Sequence, residues 1–290
     1  MHKALTRRDF MKGTAYSVLG TALGLSGSEK TKARVVLVRS KDVWLDDARI
    51  NPAVIGDMLD EAVMMLFDRK DPVAAFQNMV KQNDVVGIKS NEWAYMPTPA
   101  ELEQTMARRL VEAGVTADNI AVDYRGVLGN PLFRKASALI NVRPLRTHYW
   151  SGIGGCIKNY IMFTPNPPDY HPDSCADLAR LWSLPAVKGK TRLNVLSALT
   201  PLFHGRGPHH FDRRYVWKYN GIIVGSDPVA VDTVGLHLIT AKRRAHFGNH
   251  RDLPTPPKHI MMADLRHGLG TSDINKIELV KLGWKADCLI

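Results

Sequence analysis

Asp84-Val-Val-Gly-Ile-Lys89, a helical pattern over 99–113 with Gly114 behind it, and Asn119-Ile-Ala-Val-Asp123 read as a strand, a helix and a second strand in succession. The two outer runs are short, apolar and β-branched, as strands buried on both faces are, and a glycine just past the last helical residue is the common C-terminal stop. The same alternation continues in both directions. Apolar runs recur at Arg34-Val-Val-Leu-Val-Arg39, Ala138-Leu-Ile-Asn-Val142, Leu193-Asn-Val-Leu196 and Gly221-Ile-Ile-Val224, with helical patterns over 51–67, 174–182 and 228–240. This order predicts an α/β fold, Rossmann-like, with a mostly parallel sheet and helices on both faces. In such sheets ligands bind beyond the carboxyl ends of the strands.

Polar segments that follow strands are therefore the candidate sites. After the second strand, Lys89-Ser-Asn-Glu-Trp-Ala-Tyr-Met-Pro-Thr-Pro99 sends Lys89 and Asn91 off a strand end and places Thr98 to cap the next helix, a favourable setting for an anion. The third strand ends at Asp123-Tyr-Arg-Gly126, where Asp123 has a ready partner in Arg125. The fourth leads into Arg146, Thr147 and His148, then the glycine-rich turn Ser151-Gly-Ile-Gly-Gly155, then Lys158-Asn159 and His171. Gly154 and Gly155 leave backbone N–H groups open to a phosphate or carboxylate, and Arg146, His148, Lys158, Asn159 and His171 surround them in sequence. Phe203-His-Gly-Arg-Gly-Pro-His-His-Phe211 offers His209 or His210 to a pocket. The two are adjacent, so in extended chain they point apart and do not share one metal ion. Asp227 is a helix N-cap ahead of Pro228, and Asp232 is a core salt link, a supporting partner or a catalytic acid. His237, His246, His250, His259 and His267 show no ligand spacing and read as structural. No Gly-x-Ser-x-Gly, Walker loop or His-Glu-x-x-His helix is present.

Of the net charge of +11, residues 1–33 supply +4, from six Lys or Arg and two acids, which leaves +7 on the rest. Thr6-Arg-Arg-Asp-Phe-Met-Lys12 followed by an apolar stretch from Gly13 to Leu25 resembles a twin-arginine export signal, too short to span a bilayer. That resemblance implies the twin-arginine translocase as a partner and a periplasmic, folded product, cut near Ala33, with a retained N-terminal anchor as the alternative. Residues 34–290 are then one α/β domain. Export disfavours nucleic acid as the partner of the basic surface and favours a small anionic ligand. Cys156, Cys175 and Cys288 form no Cys-x-x-Cys pair, so no iron–sulfur or structural zinc motif exists.

Gly87-Ile-Lys-Ser-Asn91, Ile140-Asn-Val142 with Leu145-Arg-Thr-His148, Lys158-Asn159, Gly205-Arg-Gly-Pro208 and Ser226-Asp-Pro-Val-Ala-Val-Asp232, in that order, resemble the family catalogued as domain of unknown function 362. More distantly, the Tyr95-Met-Pro-Thr-Pro99 segment and the succession His148, Ser151 to Gly155, Lys158, His171 resemble the nickel-pincer lactate racemases. This second resemblance implies His148 as general base, Lys158 as the tether of a nickel-pincer nucleotide and His171 as metal ligand, acting on a small hydroxy acid by proton and hydride shuttling. The racemases' second catalytic His has no counterpart in Tyr124-Arg-Gly-Val-Leu-Gly-Asn130, which leaves His209 or His210 for that role, a one-sided redox step, or a different cofactor. The expectation is an exported cofactor- or metal-dependent enzyme of redox or isomerase type. Its alternatives are a periplasmic anion or metal carrier, or a maturation factor docking on a partner redox protein.

Overall fold

The computed structural model describes residues 32–205, 207, 210–248 and 252–290, and residues 33–290 form one compact unit. The elements follow the alternation. Strand β1 (Ala33–Arg39) is followed by α1 (Pro52–Leu66), α2 (Pro72–Gln77), β2 (Val86–Lys89), α3 (Ala100–Glu112), β3 (Ile120–Asp123) and α4 (Pro131–Lys135). Then come β4 (Ala138–His148), β5 (Gly152–Gly154), α5 (Cys156–Asn159), β6 (Thr191–Leu202), β7 (Gly221–Gly225), α6 (Pro228–Phe247), α7 (Lys258–Leu265) and β8 (Ile277–Gly283).

The strands make one sheet in the order β3-β2-β4-β6-β7-β1-β8, with β5 on the far end of β4. Pairings β2–β3, β2–β4, β4–β6 and β1–β8 are parallel, whereas β7 runs antiparallel to both β6 and β1, and β5 antiparallel to β4. A mostly parallel α/β sheet with helices on both faces is what the alternation called for. Along β1, Val36 and Val38 enter the core with α1 and α3, while Val35 and Leu37 enter the opposite core with α6 and α7. Two-sided burial explains why that strand reads as an unbroken apolar run.

The helix starts are chemical. Asn51, Asp71, Asn130 and Asp227 each precede a proline at the first helical position and accept hydrogen bonds from the next turn's N–H groups. Asp227 is thus the N-cap expected of it. The expected helix over 174–182 does not form. Prolines 165, 167, 168 and 172 remove N–H donors just ahead of it, and Asp173, Ser174 and Cys175 take left-handed φ of 50°, 57° and 64°, so the segment is a chain of short turns. All three cysteines are free thiols.

Candidate functional site

Strand β4 builds the site. From Ile140 to Pro144 it pairs regularly with β6, and between Pro144 and Arg146 the register shifts. In a regular strand, residues 143 and 146 face opposite sides. The irregularity lets Arg143, Arg146 and His148 line the same cavity, beyond the carboxyl ends of β2 and β4. The turn through β5 then folds back and leads into α5, which brings Lys158 and Asn159 to the floor. Trp93, Tyr124, Trp150 and His171 complete the wall of a cavity of about 180 Å³.

Of the residues singled out in the sequence, Asn91, Arg146, His148, Lys158, Asn159 and His171 meet here. Lys89 lies just beneath, fully buried, with its ammonium donating to Ser90 O (2.6 Å) and Asn159 Oδ1 (3.5 Å) and 5.4 Å from the centre of the Tyr124 ring. Asn159 is a crosslink. Its amide donates to Lys89 O, Val142 O and Asn141 Oδ1 at 2.8–3.1 Å, and Asn141 in turn donates to Asn194 Oδ1 and Cys156 O. This ladder of buried amides ties β2, β4 and β6 to α5.

Several of the other residues sit differently from expectation. Thr98 does not cap α3, which starts without a side-chain cap. Its hydroxyl and N–H instead bond the backbone of Asn91, closing the 91–98 loop, and it lines a different cleft of about 840 Å³. Gly154 and Gly155 do not line the cavity. A Cβ on Gly154 meets the Arg143 guanidinium at 2.8 Å, and one on Gly155 collides with the Asp232 carboxylate. That carboxylate occupies the amino end of α5 itself, accepting from Cys156 N (2.6 Å) and Ile157 N (2.9 Å), so Asp232 is a supporting residue. Asp123 accepts from Gly126 N and Asn130 Nδ2, while Arg125 lies over the Tyr124 ring. His148 Nδ1 accepts the Trp150 N–H (3.3 Å), which favours the tautomer protonated at Nε2. His209 lies outside the described residues, and His210 lines a separate shallow cleft with Tyr95 and His204.

The site is rich in buried positive charge. Lys89, Arg143, Arg146 and Lys158 are each no more than 3 % exposed. The buried carboxylates among the described residues are Asp232 here and Asp60, which is taken by Arg109 elsewhere. Three guanidinium nitrogens, Arg143 Nε and Arg146 Nε and Nη1, are buried without a hydrogen-bond partner, while Arg146 stacks 4.3 Å from the centre of the Trp93 ring. The titrations follow. Burial, with smaller effects from Arg143 and Arg146, pushes Lys158 down to about 8, and burial pushes Arg143 down to about 10. Burial and then Lys158 hold His148 well below the usual imidazole range and bring His171 to about 4, so both rings are neutral near pH 7. Burial lifts Asp232 to about 7. His171 stacks flat on Trp150, with ring centres 4.2 Å apart.

Sequence reading missed Arg143, Trp93, Tyr124 and Trp150. Strand parity sends Arg143 away from Arg146, and nothing in the sequence announces the register shift. A family model for a domain of unknown function (DUF362) matches residues 86–237, which is more than half of the chain. The chain belongs to the DUF362 family. The matched DUF362 span runs from the start of β2 into α6 and contains every residue lining the cavity, together with Lys89 and Asp232. No curated protein and no solved structure matches the chain.

A nickel-pincer nucleotide does not fit this DUF362 cavity. Ligand pockets ordinarily begin at roughly 300 Å³, whereas this one holds about 180 Å³. Among the described residues no three His, Cys, Asp or Glu side chains converge as metal ligands. The surrounding cations further oppose a bare metal ion and favour an anion.

Proposed function

We propose that the chain binds a small organic anion bearing carboxylate or phosphate groups in the cavity between β4, α5 and the 160–171 segment, and moves protons on it. The observation that carries this reading is the excess of buried cations. Lys89, Arg143, Arg146 and Lys158 share a single buried carboxylate, Asp232. An unpaired buried ion carries a penalty of several kcal/mol, and proteins keep such groups where a ligand supplies the missing charge. Arg143 Nε and Arg146 Nε and Nη1 are the N–H groups left for that ligand's oxygens. Arginine suits the task because its guanidinium stays charged and donates several N–H groups in one plane, so separate ligand oxygens can be met from different edges.

The neighbours then make the reading enzymatic. His148 supplies a neutral N–H donor, His171 a neutral ring with no hydrogen bond among the described residues, and Lys158 an amine that loses its proton near pH 8. Together they give an acid, a base and a nucleophile around one anion subsite. Export by the twin-arginine route belongs to the same proposal and rests on Thr6-Arg-Arg-Asp-Phe-Met-Lys12 with the apolar stretch Gly13 to Leu25 behind it. Isothermal titration of succinate, citrate and inorganic phosphate at low salt tests the site. Saturable one-to-one binding of at least one of them, weakened about 10- to 100-fold in Arg146→Met, is expected. Equal affinity in both proteins contradicts the assignment.

A further inference from the structure

We infer that the physiological ligand is a short-chain 2-oxo acid and that Lys158 forms an imine with its carbonyl carbon. The inference deepens the anion-site reading and rests on it. Lys158 is 3 % exposed, yet no carboxylate among the described residues pairs with it. Its one hydrogen bond among the described residues is to the Cys175 thiol, a weak acceptor, at 3.8 Å. A lysine kept only to hold a charge would be expected to sit against an acid. This one sits among other cations, the arrangement that makes an amine nucleophilic. The low amine titration, near 8, agrees with that placement.

The remaining groups match the other atoms of a 2-oxo acid. The unpartnered N–H groups of Arg143 and Arg146 provide for a carboxylate in the cavity that Lys158 also lines. His148, with Nδ1 engaged by the Trp150 N–H, offers Nε2–H to a carbonyl oxygen, and a neutral imidazole donor is enough to polarise it. The volume of about 180 Å³ selects a short chain over a sugar or nucleotide.

The chemistry balances without a further reagent. The Lys158 nitrogen lone pair forms a bond to the carbonyl carbon as the C=O π pair moves to oxygen, and one amine proton is transferred to that oxygen. The resulting carbinolamine loses hydroxide, which takes up the second amine proton and leaves as water, giving the C=N bond.

The test is reductive trapping on the intact protein. Pyruvate, oxaloacetate and 2-oxoglutarate are each incubated with it and sodium borohydride, followed by intact mass and peptide mapping, alongside calorimetric titration of succinate. The expected result is one adduct per chain at Lys158, heavier by the oxo acid less one oxygen. It should be slowed about tenfold or more in Arg146→Met, suppressed by succinate and absent from Lys158→Met. Mapping the adduct on the unmodified sequence needs no variant to fold. Succinate binding with no adduct, or adducts spread over exposed lysines, overturns the imine and leaves the anion site standing. Absence of both binding and adduct overturns both.

Discussion

Arg146 concentrates the argument at the scale of single residues. It is buried, two of its nitrogens have no partner, and burial, followed by the field of Arg143, holds it well below its ordinary titration range. Replacing such a group by an apolar side chain of similar length relieves an uncompensated charge. Arg146→Met should therefore leave the ligand-free protein as stable as before or more stable, by about 1–3 kcal/mol in denaturant titrations, while weakening anion binding about 10- to 100-fold. A purely structural arginine gives the opposite pair of results. Lys158 adds a pH dependence. Around it stand Arg143, Arg146 and His148 from β4, His171 and Cys175 from the turns, and His259 from α7, with Asp232 nearby as the counter-charge to Arg143. With the free amine near 8, a simple dicarboxylate meets a charged lysine below that pH and a neutral one above it. Binding above pH 8 must then take up a proton. Affinity for succinate should fall as pH rises through 8, by up to about tenfold per unit, with proton uptake visible when buffers of different ionisation enthalpy are compared. Imine trapping runs the other way and rises with pH over the same range, because it needs the neutral amine.

At the scale of elements, the junction of β5, α5 and α6 decides whether the site forms. Asp232 reaches from α6 to cap α5, and only a residue without Cβ at 155 leaves space for it. Gly155→Ala should expel the carboxylate, strand two buried N–H groups and destabilise the protein by roughly 2–5 kcal/mol in chemical unfolding. An alanine tolerated within about 0.5 kcal/mol would mean that this cap contributes little. The same junction marks the limit of what the sequence discloses. The glycines at 154 and 155 stood out, but glycine signals a close approach without naming what approaches, and the partners proved to be Arg143 and Asp232 in place of a ligand. Lys158, His148 and His171 were legible because they crowd a short stretch after a strand. Arg143 was not, because the shift between Pro144 and Arg146 changes which side chains share a face. Strands β1 to β4, β6 and β7 announced themselves through apolar runs. Strand β8 did not, since its Glu278 and Lys281 sit on a partly exposed edge strand, where burial demands less of the sequence.

For the whole molecule, the polarity of the sheet puts all of this chemistry at one edge. The carboxyl ends of the parallel strands β2 and β4 converge there, and the family match covers that half of the chain, including each residue around the cavity. The net charge of +11 acts at the same scale, favouring anions at long range in a salt-dependent way. Export is tested on the N-terminal segment alone. Residues 1–33 fused to a reporter that is active only when exported folded should carry it across the inner membrane, and the pair Arg7→Lys, Arg8→Lys should stop it. Export unaffected by that pair rules out the twin-arginine route.

A crystal structure grown or soaked with succinate shows whether the cavity beside Arg143, Arg146 and Lys158 receives an anion. The anion site predicts ligand carboxylate oxygens on Arg146 Nη1 or Nε, with Arg143 Nε and the Lys158 amine within reach of the same ligand. A cavity empty of succinate at saturating concentration, with both guanidinium groups turned onto protein acceptors, would contradict it.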